Sequence, residues 1–350
     1  LRRDRGDPDV SKYLMRRVGT SLLTVFGIVV VVFFIVRVLP GDAAAVRAGP
    51  YANQEMIDRI ADKYGLNDPI HVQFADYVGG VAKGALGVSI RTSQGVTGEL
   101  LDRLPASLEL AAYAVVLATV VGVSLGILAA ARLGTWVDHL ARVFAVVGSS
   151  MALFWLGLLL TFFFAFKWGW FPGPVGRLPI GSEDPRTFTG FYTIDGFLSG
   201  RPEIALEAFR YLALPVITLA FVLAAPILKM VRSAMIEALD SDFVRTAKAV
   251  GVPRRQILFV DGFRNALIPV TTTIGIVFGF MLGGNILVEF LFSWPGIGRY
   301  AFDAITTRDL EALQGFVVLV GVMYVALNMV IDIAYALIDP RIRIGSGTAK

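Results

Sequence analysis

Six stretches of this chain, about residues 18–39, 106–131, 141–166, 211–231, 266–291 and 315–338, are apolar almost throughout. A helix rises about 1.5 Å per residue, so about 20 residues cross the roughly 30 Å of hydrocarbon in a bilayer. Each run is that long. Backbone N–H and C=O groups inside hydrocarbon must pair within their own segment, and a run of this length does so as an α-helix. The chain has 350 residues, of which 55% are hydrophobic and only 17% charged, and its mean hydropathy is +0.67. Globular soluble domains carry about 25% charged residues. An all-α, polytopic membrane protein with six transmembrane helices follows.

The first run comes after Arg16 and Arg17 and is too long for the apolar segment of a signal peptide. Val36-Arg37-Val38-Leu39-Pro40 is also a poor cleavage site, so the run reads as an uncleaved anchor. The first residue is Leu rather than Met, which leaves the true N-terminus open.

Lys and Arg gather on the cytoplasmic side of membrane spans. With the N-terminus inside, the inner segments hold 18 of the 32 basic residues and 10 of the 28 acidic ones. The inner side is then +8 and the outer side −4, which together make the +4 of the chain. Both termini are expected in the cytoplasm, as a segment 1–17 before helix one (18–39) and a tail 339–350. Residues 106–338 form the core of helices two to six, with an outer loop 167–210 and a cytoplasmic loop 232–265. Between helices one and two, residues 40–105 alternate in a helical pattern. Asn53 can cap a helix carrying Met56, Ile57, Ile60, Ala61 and Tyr64, which Gly65 stops. Asp68-Pro69 opens a second with Ile70, Phe74, Tyr77, Val78 and Val81 on one side. A small helical extracytoplasmic subdomain is expected there. In the outer loop, Trp168 and Trp170 fit interfacial anchors better than ligand contacts.

Charged groups are scarce within the runs. Asp332 is the deepest, and a structural partnership with a basic residue near the inner surface is the favoured role over a functional one. Glu109 and Arg37 lie near outer ends, where they are expected to snorkel. Gly122 and Gly126 have the spacing for close helix packing. Gly283, Gly284 and Asn285 have a second reading besides packing, as residues that leave room for a translocation pathway. Pro226 is expected to kink span four.

The segment Glu237 to Pro269 differs from every other loop. Asp240, Ser241 and Asp242 carry N-cap chemistry for a short helix through Val250. Phe243, Val244, Ala247 and Val250 would share its apolar face, with Arg245, Thr246 and Lys248 between them. Gly251 stands at the left-handed C′ position, followed by apolar Val252 and by Pro253, which opens a second helix. That helix sets Ile257, Leu258 and Val260 among Arg254, Arg255 and Arg264. A helix–Gly–helix knuckle of this kind is a docking surface for another protein or an ordinary polar loop, and local pattern alone does not choose.

Several chemistries are missing. There is no GxxxxGK[ST] loop, no HExxH, no GxSxG and no cysteine, and the two histidines, His71 and His139, are far apart. A membrane-embedded enzyme has little to work with, and no metal site or bound cofactor is expected. Ion-coupled transporters bury several ionisable groups along their path and show inverted repeats. Neither is evident. A pathway-forming subunit driven from outside, through a cytoplasmic contact, remains.

The residues of that contact resemble the cytoplasmic signature loop of permease subunits in binding-protein-dependent ABC importers. The broad family pattern runs Glu-Ala-Ala, three residues, Gly, nine residues, Ile-x-Leu-Pro. Anchored on Gly251, Arg245 and Arg264 replace its first Glu and final Pro. The departure is that of the dipeptide/oligopeptide (peptide/nickel) branch, whose (Y/F)-V-R-T-A-(R/K)-A-x-G and R-N-A-L-(L/I)-P resemble Phe243–Gly251 and Arg264–Pro269. Leu39-Pro40-Gly41-Asp42, Tyr64–Pro69, Gly84–Ser89, Glu289–Gly298 (EFLFSWPGIG) and Asp339-Pro340-Arg341 resemble further motifs of the branch, with Ala85 where it keeps Asp. The long first outer segment is similar to the first of the two permeases.

The resemblance implies a type I ABC importer transmembrane domain in a bacterial cytoplasmic (plasma) membrane. Its partners would be a second, homologous permease, two ABC ATPase subunits, an extracytoplasmic solute-binding protein and membrane lipid, with no nucleic acid. ATP and magnesium would sit on the ATPases and not on this chain. Ser241–Gly251, with Val252 and Pro253, would be the coupling helix seated in an ATPase groove, where Arg245 and Lys248 meet acids. Peptides are the expected cargo, with nickel, glutathione or saccharides carried by the same kind of machinery as the alternative. A stand-alone secondary transporter or channel is the more distant one.

Overall fold

In the computed structural model, residues 8–38, 44–45, 52–63 and 65–338 are described, and no strand occurs among them beyond one isolated bridge between Val88 and Gly95. The motifs Leu39–Asp42 and Asp339–Arg341, together with Tyr64 and the side chain of Asp332, lie outside the described residues. Among the described residues five helices are long and apolar enough to cross a bilayer, and six spans result if one bent pair counts as a single span.

The apolar runs are the middles of longer helices. Helix α1 spans Pro8–Val38, α2 Gln54–Lys63, α3 Ile70–Ala82 and α4 Val96–Ala131. Helix α4 starts ten residues before its apolar run and continues past Pro105. The run 141–166, expected as one span, is two helices, α5 (Trp136–Ser150) and α6 (Leu153–Leu160), bent by 107°. Met151 and Ala152 take extended backbone between them. The Met151 N–H closes α5 on Val147 O, and the Leu156 N–H opens α6 on Ala152 O. Gly148-Ser149-Ser150 stand just before this break, a combination at which helices kink, inside a mostly apolar run. A π-helical turn, Thr161–Lys167, follows α6.

After the short α7 (Tyr192–Leu198) comes α8, Pro202–Asp240, with Pro215 and Pro226 inside it. At about 1.5 Å per residue its 39 residues measure ~58 Å, about twice the hydrocarbon thickness. It leads into α9 (Asp242–Ala249). The span after that is broken at Asn285 into α10 (Phe263–Gly284) and α11 (Ile286–Leu291), where a continuous run to 291 was expected. Helices α12 (Ile297–Thr306) and α13 (Leu310–Ile338) complete the chain.

The chain divides into two compact units, residues 1–104 with 299–350, and 105–298. In the first, α1 packs along α13 through Val29, Val32 and Val318. Helix α3 docks on the end of α1, where Phe33 stacks on Tyr77 and meets Phe74 edge-on. Asn53 Oδ1 accepts from the Met56 N–H, so its expected capping role is observed. Arg37 is tied down, with Nε donating to Gln73 Oε1 at 2.8 Å and its guanidinium over Phe33. The segment Gly84–Ser89 is laced to the start of α13. The Val88 N–H donates to Glu311 Oε2 (2.8 Å) and Ser89 Oγ to Asp309 Oδ2 (2.6 Å), while Asp309 Oδ1 caps Ala312.

The second unit is built on α8. Gly122 and Gly126 of α4 face it, and a Cβ on Gly126 would stand 2.6 Å from Val231 Cβ. The close approach read from their spacing is therefore present. Glu109 departs from expectation: instead of snorkelling it is 1% exposed. Its Oε2 pairs with Arg177 Nη2 at 2.5 Å, and its Oε1 accepts the Thr193 N–H and hydroxyl. Arg177 stacks on Tyr192, with Cζ 3.5 Å from the ring centre. The cost of bringing the charge in from water is offset by this partner and two further donors. Nearby, Asp195 accepts from the N–H groups of Phe188, Thr189 and Gly190 and from the Thr189 hydroxyl. Burial alone would raise the Asp195 carboxyl, but these donors outweigh it and hold the group below its ordinary value.

Two outcomes follow. Gly126→Leu should lower the thermal unfolding midpoint, by the equivalent of about 1–3 kcal/mol of overpacking. Gly79→Ala, where a Cβ meets nothing within 4 Å, should leave it unchanged or raise it. A lowered folded-state pKa gives stability that is present above the unfolded value, about pH 4, and lost as pH falls through the lowered one. Acid titration of thermal stability should therefore show a loss below about pH 4 that Asp195→Asn, already less stable, lacks.

Candidate coupling segment and the contacts that hold it

Helix α8 ends at Asp240 because Ser241 turns to extended backbone (φ −69°, ψ 155°). The Ser241 hydroxyl was expected to cap the next helix. It bonds back to Ala238 O at 2.5 Å instead, closing α8, and no side chain caps α9. A hydroxyl beside a free carbonyl at a helix C-terminus has a nearer acceptor than the amides ahead of it has donors.

The end of α9 matches its sequence. Gly251 has φ +83°, the left-handed conformation. The Val252 N–H donates to Ala247 O (3.0 Å) and the Gly251 N–H to Lys248 O (3.2 Å). That 6→1 and 5→2 pair is a Schellman closure, and Gly is the residue that adopts it without a Cβ penalty. Pro253 then opens one helical turn, Arg254–Gln256, followed by a π-helical turn, Ile257–Gly262, that feeds α10.

The apolar face of α9 is divided. Val244 is completely buried, Ala247 half-buried, whereas Phe243 is 45% and Val250 73% exposed. Val244 pins the helix to the chain, while Phe243 and Val250, seven residues apart, stand outward on a common stripe. Asp242, Thr246 and Lys248 are exposed, as are Gly251 and Pro253; Val252 is half-buried. Arg245 already has acids within its own chain, Asp240 at 3.2 Å and Asp242 at 3.5 Å, all of them solvent-exposed. In the second helix Ile257 is buried and Val260 exposed.

Contacts from three directions hold the segment. Arg254 Nη2 donates to Ala131 O, the last carbonyl of α4, at 2.7 Å. Arg232 of α8 grips Asp138 of α5 through both carboxylate oxygens, at 2.6 and 3.0 Å. Gly262 of the π turn lies against Met235 and Leu239. The sequence reading passed over Asp138 and Arg232, since only the fold brings residues 94 apart together.

Of the residues considered for a pathway, Asn285 is 5% exposed and makes the break between α10 and α11, its carbonyl accepting the Glu289 N–H. Gly283 and Gly284 end α10, and their surroundings lie outside the described residues. The motif Glu289–Gly298 is a latch. Glu289 is completely buried, and its Oε1 accepts the Ser107 hydroxyl at 2.6 Å. Ser107 Oγ in turn accepts the Ile297 N–H, and Trp294 Nε1 donates to Ala106 O, both at 2.8 Å. Among the described residues no three or more His, Cys, Asp or Glu converge as a metal site.

The family model described as "Binding-protein-dependent transport system inner membrane component" matches residues 122–344, and that of its N-terminal part matches residues 10–111. The chain belongs to this family. It is therefore a transport permease component with the multi-pass, all-α type I ABC transmembrane fold. Among its relatives is the probable D,D-dipeptide transport system permease protein DdpB of Escherichia coli, 41% identical over 95% of this chain and 98% of that protein. The di/tripeptide transport system permease protein DppB of Pseudomonas aeruginosa is 40% identical over 95% and 98%. The dipeptide transport system permease protein DppB of Alkalihalophilus pseudofirmus is 38% identical over 95% and 99%.

The latch predicts a stability effect. Ser107→Ala removes the donor to Glu289 and the acceptor for Ile297, leaving buried polar atoms unmet. A loss of about 2 kcal/mol is expected in thermal unfolding, against little change for Ser124→Ala at an exposed position of the same helix.

Proposed function

We propose that this chain is one of two permease subunits of an ATP-driven importer, and that it forms half of the pathway by which di- and oligopeptides enter the cytoplasm. A solute-binding protein delivers the cargo on the outside. Two ATPase subunits, holding ATP and magnesium, drive the cycle from the inside, and this chain hydrolyses nothing itself. Both termini and the α9 segment face the cytoplasm, as the excess of Lys and Arg there implies. Peptide cargo is supported by the dipeptide and di/tripeptide permeases to which the chain is 37–41% identical.

One observation carries the coupling role. Helix α9 is held from below by Val244 and presents Phe243 and Val250 to solvent, on a segment continuous with α8 and α10. An apolar stripe exposed on a firmly seated helix suits a groove in another protein. Closure of the ATPases then moves α9 as a rigid handle on the two spans beside it. Arg245 and Lys248 supply the rim charges, and Gly251 to Pro253 turn the chain back toward the membrane.

Phe243→Asp and Val250→Asp lie on the exposed face and should leave folding intact. Each is expected to cut uptake at least about tenfold, the equivalent of ~1.4 kcal/mol of docking, and to reduce recovery of the ATPases with the purified chain. Unchanged uptake in both variants would sink the coupling role. The ligand that co-purifies with the associated binding protein decides the cargo: a peptide supports the reading, and a metal, glutathione or saccharide overturns it.

A further inference from the structure

Helix α5 has one satisfied face and one bare one. Asp138, Ala141, Ala145 and Gly148 pack against α8, where a Cβ on Gly148 would stand 3.0 Å from Ala225 Cβ. On the opposite side Trp136, Leu140, Val143 and Val147 are exposed. Their spacing of four, three and four residues makes a single stripe, about 16 Å long, that ends where α5 bends at Met151. Along the first half of the stripe stand exposed polar side chains. Arg142 Nη2 donates to His139 Nδ1, which leaves the imidazole proton on Nε2, and both side chains are exposed. Arg132 is exposed in the turn just before the helix.

One carboxylate, Asp138, faces both Arg142 and Arg232 and cannot neutralise the two. Asp138 spends both oxygens on Arg232 and takes the Gly134 N–H as well, and Arg142 Nε stands 3.8 Å from it. Two guanidinium groups thus share one carboxylate, and one positive charge remains uncompensated. The excess charge lies on the helix that carries the apolar stripe, between Leu140 and Val143 in sequence. An acceptor with one negative head and a long apolar tail, lying along the helix, satisfies both halves of the arrangement.

We propose that this face binds an anionic phospholipid of the surrounding membrane. Its phosphate meets the His139 Nε2–H and the Arg142 guanidinium, and an acyl chain lies along Leu140, Val143 and Val147. The site itself does not depend on the transport reading. Its consequence for transport does: Arg142 and Arg232 share Asp138, and Arg232 lies on the helix that ends at α9. A lipid phosphate that draws Arg142 away strengthens the hold of Asp138 on Arg232, so coupled turnover rises with the anionic lipid content of the membrane.

The chain has no cysteine, so Val143→Cys provides a single site in it, which is labelled with a fluorophore on the purified chain before the importer is assembled. In nanodiscs, brominated phosphatidylglycerol should quench this label more than brominated phosphatidylcholine, with about fivefold preferential occupancy for each cation engaged. Arg142→Gln and His139→Ala should remove the preference, and Arg142→Lys should restore it. Lys248→Gln, a basic residue on α9, should leave it intact. Equal quenching by the two lipids, or a preference that survives Arg142→Gln with His139→Ala, overturns the proposal. So does absence of quenching by either, which would show a second permease covering the stripe. A lipid preference without any dependence of uptake on phosphatidylglycerol would keep the site and sink only its role in transport.

Discussion

An ion at the end of an apolar bundle has to be met by an opposite charge with good geometry, or the bundle opens to let water reach it. At the far end of α8 both oxygens of Asp138 meet Arg232 in a bidentate pair, and the Asp138 side chain is almost wholly buried. The pair fixes the register of α5 against α8, so that Ala141, Ala145 and Gly148 come opposite Leu228 and Ala225. Small residues on that face let the backbones approach, as Gly122 and Gly126 do on α4. The long helix is clamped from two sides near the end that carries α9.

The clamp gives the α9 segment its mechanical character. Val244 seats α9, the Schellman closure at Gly251 reverses the chain within three residues, and Arg254 ties the return to the last carbonyl of α4. A π-helical turn lies between this knuckle and α10, a conformation that concentrates at functional positions. Away from the knuckle, the Ser107–Glu289 latch and the Glu109–Arg177–Thr193 network give buried charge partners within the same unit. Charge inside this fold is placed where it holds elements together.

Much of this was legible in the residues. The positions of the spans, the helices at 54–63 and 70–82, the turn at Gly251 and the close packing at Gly122 and Gly126 all follow from local periodicity and from the conformational range of Gly. The family was legible too, through motifs spread from Leu39 to Arg341. Less visible were the 107° bend after Ser150 and the break at Asn285, because Gly148-Ser149-Ser150 and Gly283-Gly284-Asn285 are equally compatible with close packing of an unbroken helix. The roles given to Ser241 and Glu109 failed for a related reason. A hydroxyl with two possible backbone partners, or a carboxylate near a helix end, is decided by what lies beside it in space.

The sequence by itself determined that the chain crosses a membrane as helices, since hydrocarbon leaves the backbone of an apolar run no other partner than itself. It also determined which segment stands apart from that rule, the polar knuckle around Gly251. Tertiary structure alone decided which face of the knuckle is free. Phe243 and Val244 are adjacent and equally apolar, yet one points outward and the other is buried against its own chain. The difference lies in the neighbours that α8 and the π turn supply, and no spacing within a single helix records them.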